Sequence, residues 1–529
     1  MEARNQLLRW ALPCSMLLAV VLRLLYWRST AALFNDGPVF IALAQAFAAG
    51  DVRAALAHEF HPLYSAVVAV VHGLLGEPLG LGWETSAVWT SALASAGAVW
   101  ALHAFVRSAF GPWQAAVAAF LLALHGAALE MGGDVQSEGL YLALFLASAA
   151  SLWSVAVHPS MPRAAMAGLA SGLAYLTRPE GLSLALIGGL LVLVMLVRRS
   201  WPPRTAIGVA LALGLGTAVC VLPYVGALYA ETGEIWITRK KSVGWLVGVS
   251  DPPGHLANER RVPDWSRLTP PPGMEVQSQR PLPRVPFRES RSMGAALSDL
   301  AHSMARAVRY EILPLLLLGL FAVRGRPGLR AGFVGSVLAL HLVMLFGLAL
   351  NVGYLSTRHA LPPTTLLLGY AACGIVPLAD LLGRLTRRQV GLLPATVLAL
   401  ALLAGISAEK VLTPPDVGET VQREAAIWLR EQGVSRGPVA AERRRVAYYA
   451  GAPFVKLRIE PELGLESLLD AYRVRHVIVA EDAVPEYLGM SELIPQILEP
   501  IHRAARGDVG VLVLRYRGRA AASPGDVAP

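Results

Sequence analysis

Apolar runs of about 20 residues recur along this chain, and that length is what a helix needs to cross the hydrocarbon of a bilayer. Candidate spans fall at 10–27, 84–106, 113–131, 138–157, 163–177, 180–197, 205–224, 311–323, 331–350, 360–382 and 390–408, about eleven in all. Only 16% of the 529 residues are charged, against about 25% in soluble domains. The expectation is a polytopic α-helical membrane protein with interfacial helices and a soluble appendage. A net charge of +9 does not make it a nucleic-acid binder, because the 42 arginines and four lysines fall between apolar runs rather than in one patch. Cys14, Cys220 and Cys373 each lie inside an apolar segment, which excludes a disulfide framework and a cysteine-based zinc site.

Orientation follows the Lys/Arg bias of short loops. With a cytoplasmic N-terminus, the spans put Arg107, Arg163, Arg198, Arg199, Arg204, Arg324, Arg326, Arg330, Arg384, Arg387 and Arg388 inside. Loop 28–83, the turns near 132–137, 178 and 351–359, the long loop 225–310 and the tail then lie outside. This describes a multi-pass protein of a plasma or inner membrane. The apolar stretch 62–76 is short for a crossing, and counting it would invert every later loop, so it reads as an interfacial or re-entrant helix. The Pro- and Arg-rich middle of the long loop, 251–291, lacks the apolar surface to fold alone and reads as a mobile flap or strap.

Composition shifts after 408, giving domains 1–408 and 409–529. The tail predicts helix 418–432, strands 438–442 and 454–459, helix 463–473 and strands 475–480 and 509–516, an extracytoplasmic α/β domain. No phosphate loop, metal spacing or nucleophile elbow appears in it; its plain reading is an accessory or docking domain.

Ionisable residues beside apolar runs are costly and so informative. Asp36 precedes an amphipathic helix (NDGPVFIALAQAFAAGD); it is either an N-cap or a carboxylate that takes a proton from an acceptor. Asp134 and Glu138 (GDVQSEGLYL) stand four apart, on one helical face or as capping groups. In LTRPEG, Pro179 ends one helix and starts the next, leaving Arg178 at interface depth beside Glu180, as an anchor or an anionic-headgroup contact. Arg239, Lys240 and Lys241 form an external cationic cluster suited to phosphate. The turn NVGYLSTRHALPP adds Tyr354, Arg358 and His359 as phosphate or sugar contacts.

This order of features, with HPLY at 61–64 opening a short helix, resembles the GT-C membrane glycosyltransferases, specifically the family 39-like group of protein O-mannosyltransferases and lipid A aminoarabinose transferases. The resemblance covers the layout of residues 8–382. It implies a GT-C fold and inverting transfer of a sugar from a polyprenyl-phosphate donor to a lipid, glycan or protein acceptor at the external face, among membrane lipids. It makes Asp36 the catalytic base, Asp134 or Glu138 the second-loop acid, His61-Pro62 the opening of the next helix, and Arg178 and Arg358 the residues near the carrier phosphate. Gly37 stands where that group often has Glu, and Phe40 where it has Tyr. No cofactor is assigned, and a divalent metal is left open. A secondary transporter or flippase is the alternative; it predicts ionisable groups at mid-membrane and broken spans in repeated halves.

Overall fold

The computed structural model describes residues 2–56, 58–240, 271–275, 292–324, 328–353, 355–433, 437–457, 465–486, 494 and 496–518. Lys241, Tyr354 and almost all of the 251–291 stretch lie outside them. In chain order the helices are α1 (Glu2–Arg28), α2 (Gly37–Ala48), α3 (Val52–Leu56), α4 (Leu63–Val71), α5 (Glu77–Leu79), α6 (Trp83–Ala109), α7 (Pro112–Ala123), α8 (Gly126–Gly132), α9 (Glu138–Val157), α10 (Met161–Thr177), α11 (Leu182–Val197) and α12 (Pro203–Thr232). Then come α13 (Met293–Val308), α14 (Leu313–Ala322), α15 (Leu329–Val352), α16 (Thr357–Thr365), α17 (Leu368–Cys373), α18 (Ile375–Thr386) and α19 (Leu392–Leu412). The tail holds α20 (Val417–Glu431), α21 (Arg444–Tyr449) and α22 (Leu465–Ala471), with strands β1 (Val439–Ala441), β2 (Phe454–Lys456), β3 (His476–Ala480), β4 (Leu498–Arg506) and β5 (Val509–Tyr516).

Internal contacts divide the chain into two compact units. The first comprises Met1–Arg28, Asp51–Arg260 and Arg288–Thr413; the second comprises Ser29–Gly50, Arg261–Phe287 and Pro414–Pro529. The expected boundary at 408 thus falls near Thr413, and residues 29–50, read as a loop of the membrane domain, sort with the tail.

Every one of the expected apolar segments in the first unit is helical. Among the described residues eight helices are long and apolar enough to cross a membrane, or nine if the bent pair α7–α8 is one span. Two expected spans are shorter: α10 has 17 residues and α14 has 10. Segment 360–382 is three pieces, α16 to α18, with Pro362 and Pro363 inside α16 and the breaks at Leu366–Leu367 and Gly374. The 62–76 stretch forms α4 and a π turn at His72–Gly76, which α5 continues, and it stays short for a span.

Small residues let the helices approach closely. A methyl group on Gly168 of α10 would lie 2.1 Å from the Leu213 carbonyl oxygen of α12, and one on Gly216 would lie 2.3 Å from that of Ala165. The break between α7 and α8 bends the chain by 59°. Arg23, 1% exposed, donates from Nη1 to the carbonyl of Ala123 at 2.8 Å, satisfying the C-terminal end of α7.

In the second unit a five-stranded sheet runs β2-β1-β3-β5-β4. Strand β1 is parallel to both β2 and β3, with Val439 opposite Phe454 and His476; β5 is antiparallel to β3 and β4. Leu468 and Leu469 of α22 pack with Val477, Val479 and Leu514 of the sheet. The expected tail elements are all present, joined by α21 and β4, which the sequence reading missed.

Candidate functional site

The first unit gathers ionisable groups at the ends of helices far apart in the chain. Glu138 is the first residue of α9, where the exposed N–H groups of the helix favour a carboxylate. Arg178 follows α10 in extended backbone, as the residue before Pro179 must be. Residues Pro179–Gly181 then make a single turn into α11. Only glycine fits at 181, since a methyl group there would sit 2.2 Å from the Tyr175 backbone nitrogen. Arg358 and His359 lie in the first turn of α16, which Ser356 and His359 close as a reciprocal cap.

These elements bring the side chains into contact. Arg178 Nη1 donates to Glu138 Oε1 at 2.6 Å, and its Nη2 donates to Glu180 Oε1 at 3.4 Å. Arg358 Nη1 lies 3.5 Å from the same Glu138 oxygen. Both Arg178 and Glu138 are buried, and the Arg178 guanidinium also faces the Tyr141 ring at 5.8 Å. Lys240 acts electrostatically on Glu138, Glu180 and His359. Its segment is brought back onto the unit by two contacts: the Tyr175 hydroxyl donates to the Ile237 carbonyl, and His61 Nε2 meets Thr238 Oγ1 at 2.9 Å.

Charge in this cluster is set by burial and by its neighbours. Burial alone would lower Arg178, but Glu180 and Glu138 more than reverse that and hold it firmly protonated. Burial lowers Lys240, and the Arg178 charge adds to the effect. Burial, with Lys240 next, pushes His61 down to about 3. Burial, with Arg178 and Arg358 next, pushes His359 down to about 3 as well. Both imidazoles are therefore neutral near pH 7. Three basic side chains, Arg178, Lys240 and Arg358, and two carboxylates, Glu138 and Glu180, thus act on one another in one buried cluster.

Asp134 is buried close by in the α8–α9 turn, and its Oδ1 accepts from Val135 N at 2.6 Å. Arg239, expected beside Lys240, pairs instead with Glu231 at the end of α12. Asp36 belongs to the second unit. It occupies the N-cap position of α2, half-buried, but its side chain makes no capping bond. Sequence reasoning missed the aromatic wall around His61, whose ring meets Tyr175 at 5.0 Å and Tyr224 at 5.1 Å. The burial of Arg23 against the end of α7 was not foreseen either. Among the described residues no three His, Cys, Asp or Glu side chains are grouped to hold a metal ion.

Residues 61–225 match the family model described as dolichyl-phosphate-mannose-protein mannosyltransferase. No curated protein matches the chain in sequence. Among solved structures it is similar to ArnT from Cupriavidus metallidurans bound to undecaprenyl phosphate, at 16% identity and a TM-score of 0.60, covering 97% of this chain and 98% of that one. It is also similar to the Archaeoglobus fulgidus oligosaccharyltransferase in complex with zinc and sulfate, at 13% identity and a TM-score of 0.60, covering 95% of this chain and 72% of that one. The archaeal oligosaccharyltransferase AglB from Archaeoglobus fulgidus, in complex with an inhibitory peptide and a dolichol-phosphate, matches at 12% identity and a TM-score of 0.54, covering 99% of this chain and 75% of that one. The chain is a membrane-spanning protein of the GT-C fold, similar over residues 61–225 to the dolichyl-phosphate-mannose-protein mannosyltransferases.

Proposed function

We propose that this protein is a glycosyltransferase that moves a sugar from a polyprenyl-phosphate donor to an acceptor at the external face of a plasma or inner membrane, with inversion. The observation that carries the reading is the gathering of the basic side chains Arg178, Lys240 and Arg358 around Glu138 and Glu180, a set of donors that suits a phosphate gaining charge as it leaves. The family-model match supports it, as do the ligands of the fold relatives, one bound to undecaprenyl phosphate and one to a dolichol-phosphate.

In this reading the acceptor hydroxyl oxygen attacks the anomeric carbon from the face opposite the carrier. The bond between that carbon and the phosphate oxygen breaks, and the polyprenyl phosphate leaves with the electron pair. The hydroxyl proton passes to the Asp36 carboxylate, and the cations stabilise the phosphate as its charge develops. Glu138 and Glu180 hold Arg178 in one orientation rather than taking the proton. Neutral His61 offers the phosphate a hydrogen bond and no charge. The cluster sits at helix ends and turns, which weighs against a transporter, whose ionisable groups belong at mid-membrane.

The test is transfer from a polyprenyl-phosphate sugar in proteoliposomes, with Asp36→Asn against the unaltered chain. A drop in kcat of about 10²–10⁴-fold is expected, the usual contribution of a general base. Full activity would remove Asp36 from that role.

A further inference from the structure

The second unit contains both the stretch that carries Asp36 and the C-terminal α/β domain. Residues 29–36 have no regular secondary structure, so their peptide groups must find partners elsewhere. The α/β domain supplies them. Arg423 of α20 donates to the Ala31 carbonyl at 2.9 Å. The Leu33 amide donates to the Tyr449 hydroxyl at 3.1 Å, and the Leu33 carbonyl accepts from Arg445 at 3.4 Å. The Arg444 amide donates to Asn35 Oδ1 at 2.9 Å, one residue before Asp36. Ala31, Ala32 and Leu33 are all buried, Leu33 completely.

The anchors are themselves fixed. The Arg423 guanidinium lies 4.7 Å from the centre of the Tyr449 ring, and Arg445 also pairs with Glu419 of α20. On the far side of Asp36, the turn at Gly273 donates to the Ala452 carbonyl and packs so tightly that a methyl group on it would lie 2.6 Å from Pro38 and 2.9 Å from Tyr448. Positions 31, 33 and 35 are thus held by the α/β domain, and on the other side of the carboxylate Pro38 packs against the turn at Gly273, which is itself bonded to that domain.

From this we infer that the C-terminal domain is a positioning device for the reaction: Arg423, Arg445 and Tyr449 hold the Asp36 stretch in the one geometry a base requires. The inference rests on Asp36 serving as that base. A base misplaced by about 1 Å loses much of its effect, so loosening these contacts acts on kcat, whereas the donor binds through other residues.

The experiment uses the full chain in nanodiscs, with Tyr449→Phe, which removes only the acceptor oxygen, and with Tyr449→Phe combined with Arg423→Met. Hydrogen exchange at residues 31–36 and the split between kcat and donor KM are read together. Exchange about tenfold faster, with kcat down about tenfold and donor KM within about twofold, is the expected result for the double variant. Arg506→Ala, which breaks an exposed pair with Glu424 on the same domain, moves neither reading. Unchanged exchange, or faster exchange with unchanged kcat, overturns the inference. Asp36→Asn measured alongside separates the two ideas. Full activity there removes the base assignment, while the exchange rates still decide whether this domain holds the stretch.

Discussion

Single residues carry most of the meaning here, and their legibility depended on charge. Glu138, Arg178, Glu180 and Arg358 stand out in the sequence because an ionised group next to an apolar run has to find a partner, and all four share one network around Glu138 and Arg178. Tyr175, Tyr224 and Thr238 gave no such signal, since an aromatic or a threonine in or near a span is ordinary. In the α/β domain His476 of β3 is 3% exposed, and neither ring nitrogen has a hydrogen-bond partner in the structure. Burial, with Arg515 and Arg475 next, pushes it down to about 4. The unfolded chain binds that proton near 6.5, so between the two values the unfolded state is the more protonated one. Stability is therefore lost as pH falls from about 6.5 to about 4. The full chain with His476→Leu is expected to show a smaller fall in its thermal midpoint between pH 7 and pH 4.5 than the unaltered chain. An equal fall would place the acid sensitivity elsewhere.

At the scale of elements, hydrophobic period decided what was visible. Long uninterrupted spans such as α6 and α9 declare themselves, whereas the 360–382 stretch hides two breaks, one at Gly374 and one at Leu366–Leu367 within an apolar run. Strand β4 was missed because its alternation is obscured by His502, Arg503 and Arg506, and because Pro500 sits at a register shift in an edge strand. Helix packing shows only in the structure, where Gly168 and Gly172 let α10 approach α12 closely. That contact bears on the site, since α10 ends at Arg178 and α12 leads toward Lys240. Gly168→Ala puts a methyl group 2.1 Å from the Leu213 carbonyl oxygen and is expected to cost about 1–3 kcal/mol through forced separation of the helices. Gly214→Ala, with nothing within 4 Å, is expected to be neutral or slightly stabilising, as an added helix former. Thermal unfolding of the two variants in one detergent checks the difference; equal midpoints would mean that α10 and α12 adapt freely.

The whole molecule turns on sidedness. Parity of the spans put the arginine-rich loops on one side and the acids and guanidiniums of the cluster on the other, an inference from loop charge alone. Helix α12 gives it a direct test. Its 30 residues rise about 45 Å, more than the roughly 30 Å of hydrocarbon, so its two ends must face opposite solutions if it spans. Ser200, exposed beside Arg198 and Arg199, precedes it, and exposed Glu234 follows it on the way to Lys240. In a chain with Cys14, Cys220 and Cys373 replaced by serine, Glu234→Cys is expected to react with a membrane-impermeant maleimide on intact cells. Ser200→Cys is expected to react only after permeabilisation. The reverse pattern would turn the Arg178–Arg358 cluster toward the cytosol, and a donor carried in the external leaflet would then never meet it.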